Sequence, residues 1–230
     1  LYWLSHTQLD DKTWLKTRAY YNTFKNDLVA YTNVSLTTKN FTSFYDDNAR
    51  GASVELGTDH LAQQTLVGAL HYRRDDHTEW QRMHVTNFTE PKQQNIKDVY
   101  SLAVEDTWHV TPEFDLVGGI SRDFRRSKRA EEFASNVLFD LPIANSTATN
   151  YQAAAIYRYS ATGKFHVSAS DRTRFPTIFE RFSSRFGGAV SNPWLDPERA
   201  LNLEVGVADT LIPGDRAPCG RSPGSPTSGR

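Results

Sequence analysis

Leu201, Leu203, Val205 and Val207 alternate strictly with Asn202, Glu204, Gly206 and Ala208. A two-residue period sends successive side chains to opposite faces of a β-strand, so this strand has one oily face and one wet face. The same period returns in Tyr151, Ala153, Ala155, Tyr157 and Tyr159 against Gln152, Ala154, Ile156 and Arg158, and in Phe165, Val167 and Ala169 against Lys164, His166, Ser168, Ser170 and Arg172. Weaker alternation marks further strands at Leu1–Leu9, from Thr13 to about Tyr31, and at Arg50–Gly57, Gln64–Arg74, Ile96–Val110 and Phe114–Arg125. About nine strands are expected.

The links between them alternate in length. Asp10–Lys12, Thr58–Gln63, Thr111–Glu113 and Ser160–Gly163 are short, whereas Thr32–Ala49, Asp75–Asn95, Arg126–Asn150 and Phe175–Glu198 are long. Up-and-down antiparallel strands would put every short turn at one rim and every long loop at the other, as transmembrane β-barrels do. Aromatic residues gather beside the short turns, at Trp14, Trp108, Phe114, Tyr157, Tyr159 and Phe165. A girdle at a membrane interface would place them there.

Composition agrees with a membrane-embedded sheet and removes other classes. Only 38% of the 230 residues are hydrophobic, while aromatics reach 12%, a balance short on core and rich in interfacial side chains. No run approaches the roughly 20 apolar residues of a spanning helix, which leaves a barrel as the way to cross a bilayer with every backbone group paired. Lys and Arg number 26 against 27 Asp and Glu, so no electrostatic footprint for nucleic acid exists. A single cysteine, Cys219, supports neither a disulfide framework nor a thiolate metal site.

Leu1 and Tyr2 begin inside a strand-like run, which reads as the interior of a longer protein. Residues 209–230 lose the alternation and are rich in Pro, Gly, Ser and Arg, so a disordered or non-native tail is expected after residue 208.

Between the last two strands stand Phe175-Pro176-Thr177-Ile178-Phe179-Glu180, then Phe186-Gly187-Gly188, then Asn192-Pro193-Trp194-Leu195-Asp196-Pro197-Glu198, and finally Asn202-Leu203-Glu204-Val205-Gly206. In order and spacing these pieces resemble the barrel of TonB-dependent outer-membrane receptors, and the alternating strands extend the resemblance over residues 1–208. The resemblance implies an all-β, antiparallel up-and-down transmembrane barrel of 22 strands, of which about nine are present here. It implies uptake of a scarce metal complex, a ferric siderophore first among them, across the outer membrane of a Gram-negative bacterium. The partners implied are outer-membrane lipid and lipopolysaccharide, the metal chelate, and the TonB-ExbB-ExbD system acting through a plug domain that this sequence does not show. No enzymatic activity and no cofactor are implied.

Arg172, Arg174, Arg181 and Arg185, with Phe186 and Trp194, are the expected ligand contacts at the rim, because guanidinium groups bind carboxylates and catecholates by paired hydrogen bonds and stacking. The bland alternative is that such arginines pair with lipopolysaccharide phosphates or neighbouring carboxylates. The remaining motif residues, Phe175, Pro176, Thr177, Glu180, Gly187, Gly188, Asn192, Pro193, Pro197, Glu198, Asn202, Glu204 and Gly206, are expected to shape the bend and the strand start. His71, Asp75, Asp76, His77 and His84 could suggest a metal site, but their spacing matches no standard ligand set. Glu180, Asp196 and Glu198 could be paired as glycosidase carboxylates, yet no nucleophile elbow, Walker loop or zinc motif accompanies them. The rival from another class is a secreted β-sandwich adhesion or carbohydrate-binding module, suggested by sequons at Asn33, Asn40, Asn87 and Asn145.

Overall fold

The computed structural model describes residues 1–182 and 190–209. Nine long or medium strands follow one another in a single antiparallel sheet, each beside its predecessor. They are β1 (Tyr2–Asp10), β2 (Thr13–Tyr31), β3 (Lys39–Thr58), β4 (Gln64–Met83), β6 (Gln93–Thr111), β7 (Phe114–Ala134), β9 (Ser146–Arg158), β10 (Lys164–Arg174) and β11 (Glu198–Ala208). Two short strands, β5 (Phe88–Thr89) and β8 (Val137–Asp140), lengthen the ends of β4 and β7. Within the described residues no strand pairs with the outer edge of β1 or of β11, so the sheet is open. Among the described residues there is no second facing sheet either, which overturns the β-sandwich alternative, since a sandwich requires two layers.

Register confirms the two faces. The row Leu203↔Ala169↔Ala153↔Gly118 lies on one side, and the row Asn202↔Ser170↔Gln152↔Gly119 on the other. Leu201, Leu203, Val205 and Val207 stay exposed, and the buried positions are mostly polar or charged, among them Asp98, Asn95, Arg125 and Arg181. The arrangement is inside out relative to a water-soluble domain, whose apolar side chains supply the core.

Two aromatic lines bound the apolar face. Phe114, Tyr157 and Phe165 are register neighbours near the short turns, with Trp108 beside them. Tyr72, Tyr100 and Phe124 form the second line, and the two tyrosine rings lie 5.1 Å apart. Phe114 to Phe124 along β7 is ~33 Å at ~3.3 Å per residue. Tilted by ~40°, that length covers the ~25 Å apolar band of an outer-membrane barrel. Trp14 corrects the expected girdle. Its neighbour Leu15 pairs with Leu56 on the apolar face, so Trp14 lands on the polar face, where the Lys16 ammonium sits 4.1 Å from its ring.

The long links are a second correction. Strands β2, β3, β4, β6 and β7 run for 19 to 21 residues, about twice the ~9–11 needed to span a bilayer. Most of Thr32–Ala49, Asp75–Asn95 and Arg126–Asn150 is therefore strand. Above the second aromatic line both faces are polar, so the period-2 signal disappears while backbone pairing continues. Ser135 and Asn136, at φ of 52° and 63°, close β7 onto β8 in two residues, the twist that a tight hairpin favours.

Candidate functional site

In the fourth link the described residues, 175–182 and 190–197, are not strand. They fold onto the polar face through a one-turn helix, α1 (Ile178–Phe182). Thr177 and Glu180 make that turn. Thr177 Oγ1 accepts from the Glu180 backbone N–H at 3.1 Å, and the Glu180 carboxylate accepts from the Thr177 N–H at 2.8 Å. This is a reciprocal capping box, which satisfies two donors that a helix start would leave orphaned. Ile178 and Phe182 bury against Ala130 and Leu141.

Arg174 pins the hairpin at both ends. Its Nη1 and Nη2 reach the two oxygens of Glu180 at 3.0 and 2.8 Å, and its Nε reaches Glu198 at 2.8 Å. The Arg174 hydrogen bonds, then the Thr177 N–H, hold the Glu180 carboxyl down to about 2. Glu180 and Glu198, the carboxylates weighed above as a hydrolytic pair, are thus tied to one guanidinium. Arg172 donates to Gln152 Oε1 on the same face. Arg181 is buried, donating from Nη1 to Ser127 Oγ at 2.9 Å and from Nη2 to the Pro193 carbonyl. Asn192 forms a local turn by accepting from the Trp194 N–H at 3.0 Å, and Trp194 remains 65% exposed. Arg185, Phe186, Gly187 and Gly188 lie outside the described residues. Asn202, Glu204 and Gly206 line the polar side of β11, where Glu204 Oε1 stands 3.2 Å from His166 Nε2.

A cavity of about 290 Å³ opens between α1 and the strand wall. Its charged lining comes from Asp47, Arg73, Asp75, His77 and Lys97, and Phe179 of α1 covers one side. Arg73 Nε donates to Asp75 at 2.7 Å, while Lys97 stands 3.6 Å from the same carboxylate and is depressed by burial. Burial opposes protonation of His77, but hydrogen bonds to Asp47 and Glu79 win and raise it to about 9. The site therefore offers cations, carboxylates and an aromatic face within one recess.

Strand alternation dissolves the suggested metal cluster. Asp75 and His77 face the cavity side, Asp76 faces the other way and accepts from Gln94 at 2.9 Å, and His84 bonds Thr42 at 2.8 Å. Among the described residues no three His, Cys, Asp or Glu side chains are placed to hold a metal ion. Sequence reasoning missed Arg73, Lys97 and Phe179 as cavity residues. Only the pairing of β3, β4 and β6 brings them under α1, and no local pattern announces that.

The chain matches the family "TonB dependent receptor-like, beta-barrel" over residues 2–216. It belongs to the TonB-dependent receptors, a family of outer-membrane transporters of Gram-negative bacteria, not enzymes, whose members bind metal–siderophore complexes and work with TonB. Solved structures agree in fold. The copper transporter OprC superposes with a TM-score of 0.69 at 17% identity, over 86% of this chain and 34% of that one. BauA, the ferric preacinetobactin receptor of Acinetobacter baumannii, gives 0.65 at 10% identity over 90% and 34%. FyuA, the ferric yersiniabactin uptake receptor of Yersinia pestis, gives 0.60 at 14% identity over 88% and 32%. The chain thus spans about a third of the length of the structures it matches. No curated protein sequence matches it.

Proposed function

We propose that this chain is wall and rim of a receptor that captures a metal chelate, a ferric siderophore first among the candidates, for TonB-ExbB-ExbD-driven uptake across the outer membrane. The observation that carries the reading is the recess beneath α1, where Arg73, His77, Lys97 and Phe179 converge on the polar face of a sheet whose other face is apolar. Guanidinium and ammonium groups suit the anionic oxygens of an iron chelate, and an aromatic ring suits its planar groups. Arg172 and Trp194 extend this surface toward the rim, and Arg174 holds the hairpin in place. The apolar face meets outer-membrane lipid. Arg122 and Arg126, on that face at 5.9 and 6.0 Å from the Phe124 ring, meet lipopolysaccharide phosphates.

The test uses the intact receptor as the sole uptake route of a cell, with radiolabelled iron supplied as citrate, catecholate and hydroxamate chelates. One of these is expected to enter, and replacing Arg73 and Phe179 together by Ala is expected to weaken its binding by about tenfold or more. Uptake of none of the chelates, or equal binding by the double variant, would sink the proposal.

A further inference from the structure

Beside α1, two buried arginines that do not line the recess meet without a counter-charge. Arg125 of β7 and Arg181 of α1 are 2% and 1% exposed. Both donate to one oxygen, Ser127 Oγ, at 3.4 and 2.9 Å. Ser127 spends its own proton on the Ala144 carbonyl at 2.9 Å, so it can only accept from them. Arg125 gives Nε and one Nη2 hydrogen to Ser146 Oγ, which leaves one hydrogen on each Nη without a partner. The Nε of Arg181 has no partner at all.

Neither guanidinium forms an ion pair with a carboxylate among the described residues. The nearest acids in sequence are otherwise engaged: Asp123, two residues from Arg125, accepts from Asn150 at 2.6 Å, and Glu180, next to Arg181, accepts from Arg174 at 2.8 Å. Lys97, 8% exposed on the same face, is a third cation, with the Asp75 carboxylate 3.6 Å away as its own partner. Burial, then repulsion from Arg125, pulls Arg181 down to about 10, and burial lowers Arg125 as well. Like charges sequestered from water repel strongly, and each also loses its hydration. A buried cation pair persists when something negative completes it.

We infer that Arg125 and Arg181 form an oxyanion site, taking one carboxylate or phosphate group that bridges the two guanidiniums and fills the open Arg181 Nε. The unpartnered Arg181 Nε and the spare Nη hydrogens of both side chains suit such a group. Ser127 fixes the spacing between them, and the bound anion fastens α1 to the β7 wall. The site is separate from the recess and independent of which chelate that recess takes.

Thermal unfolding of the intact receptor, titrated with inorganic phosphate or acetate at an ionic strength held constant with chloride, tests this. A saturable rise in melting temperature of about 2 °C or more is expected, since a ligand that binds only the folded state stabilises it. The rise should persist when Arg73 and Phe179 are replaced by Ala. It should vanish in the variant carrying Arg125→Gln and Arg181→Gln, and survive in part in Arg181→Lys. Absence of any rise in the unaltered receptor overturns the site without need of a variant. An equal rise in the double Gln variant overturns it as well. A lower melting point in that variant, with no anion response in the unaltered receptor, would assign the neutralising charge to the protein itself and so also overturn it.

Discussion

The halves of the long strands below and above the Tyr72–Tyr100–Phe124 line are built on the same backbone ladder but obey different rules. Below it, β6 presents Leu102, Val104 and Trp108 on one face, and Asp106 is the exception, with one carboxylate oxygen buried and unpartnered. Above it, the corresponding face carries Arg50, Arg74, Asp98 and Arg126 in one register row. The lesson is that pairing of N–H and C=O groups sustains a strand in either setting, whereas side-chain alternation records only the contrast between two solvents.

The largest effect is expected from placing a charge below the line. Leu203→Arg should cost about 2–4 kcal/mol of folding into lipid vesicles, while Asn48→Arg, on the same face above the line, should stay within about 0.5 kcal/mol. Urea titration of vesicle-folded receptor measures both, and equal costs would erase the distinction between the halves.

Above the line, charge networks take the place of lipid contact. Arg74 reaches both oxygens of Asp98 at 2.6 and 2.7 Å, and Asp98 is fully buried. Arg74→Ala should cost about 2 kcal/mol by stranding a buried carboxylate, although Tyr72 and Lys128 stay near it. Double removal with Asp98→Asn should restore part of the loss. No recovery in that cycle would show that the two side chains act independently.

The smallest effect is on pH. His77 is raised to about 9 in the folded protein from an ordinary value of 6.5. Its pairing with Asp47 and Glu79 thus stabilises the upper strands fully below pH 6.5 and is lost as pH climbs through about 9. Amide exchange across β3 and β4 should quicken over that range, and His77→Gln should flatten the dependence. An unchanged profile in the variant would assign the effect elsewhere.

Much of this was legible in the chain. The faces of β9, β10 and β11 follow from Tyr151, Val167 and Leu203 and their neighbours. The capping box is legible in Thr177 and Glu180, three residues apart with the apolar pair Ile178-Phe179 between them, although the expectation for this segment is only a bend. The upper strands were not legible, because Asp46, Thr78 and Gln94 sit where both faces are wet. Arg181 looked like one more rim arginine until its burial under the hairpin separated it from the exposed, doubly paired Arg174.

The sequence by itself determined the two-faced sheet, the rim with short turns and the family, because contact with oil or water is written residue by residue at a fixed period. Only the tertiary structure decided how far the strands run, that the hairpin after β10 turns onto the polar face, and that Arg73, Lys97 and Phe179 share a recess. Those outcomes depend on pairing between residues distant in the chain, which no local period encodes.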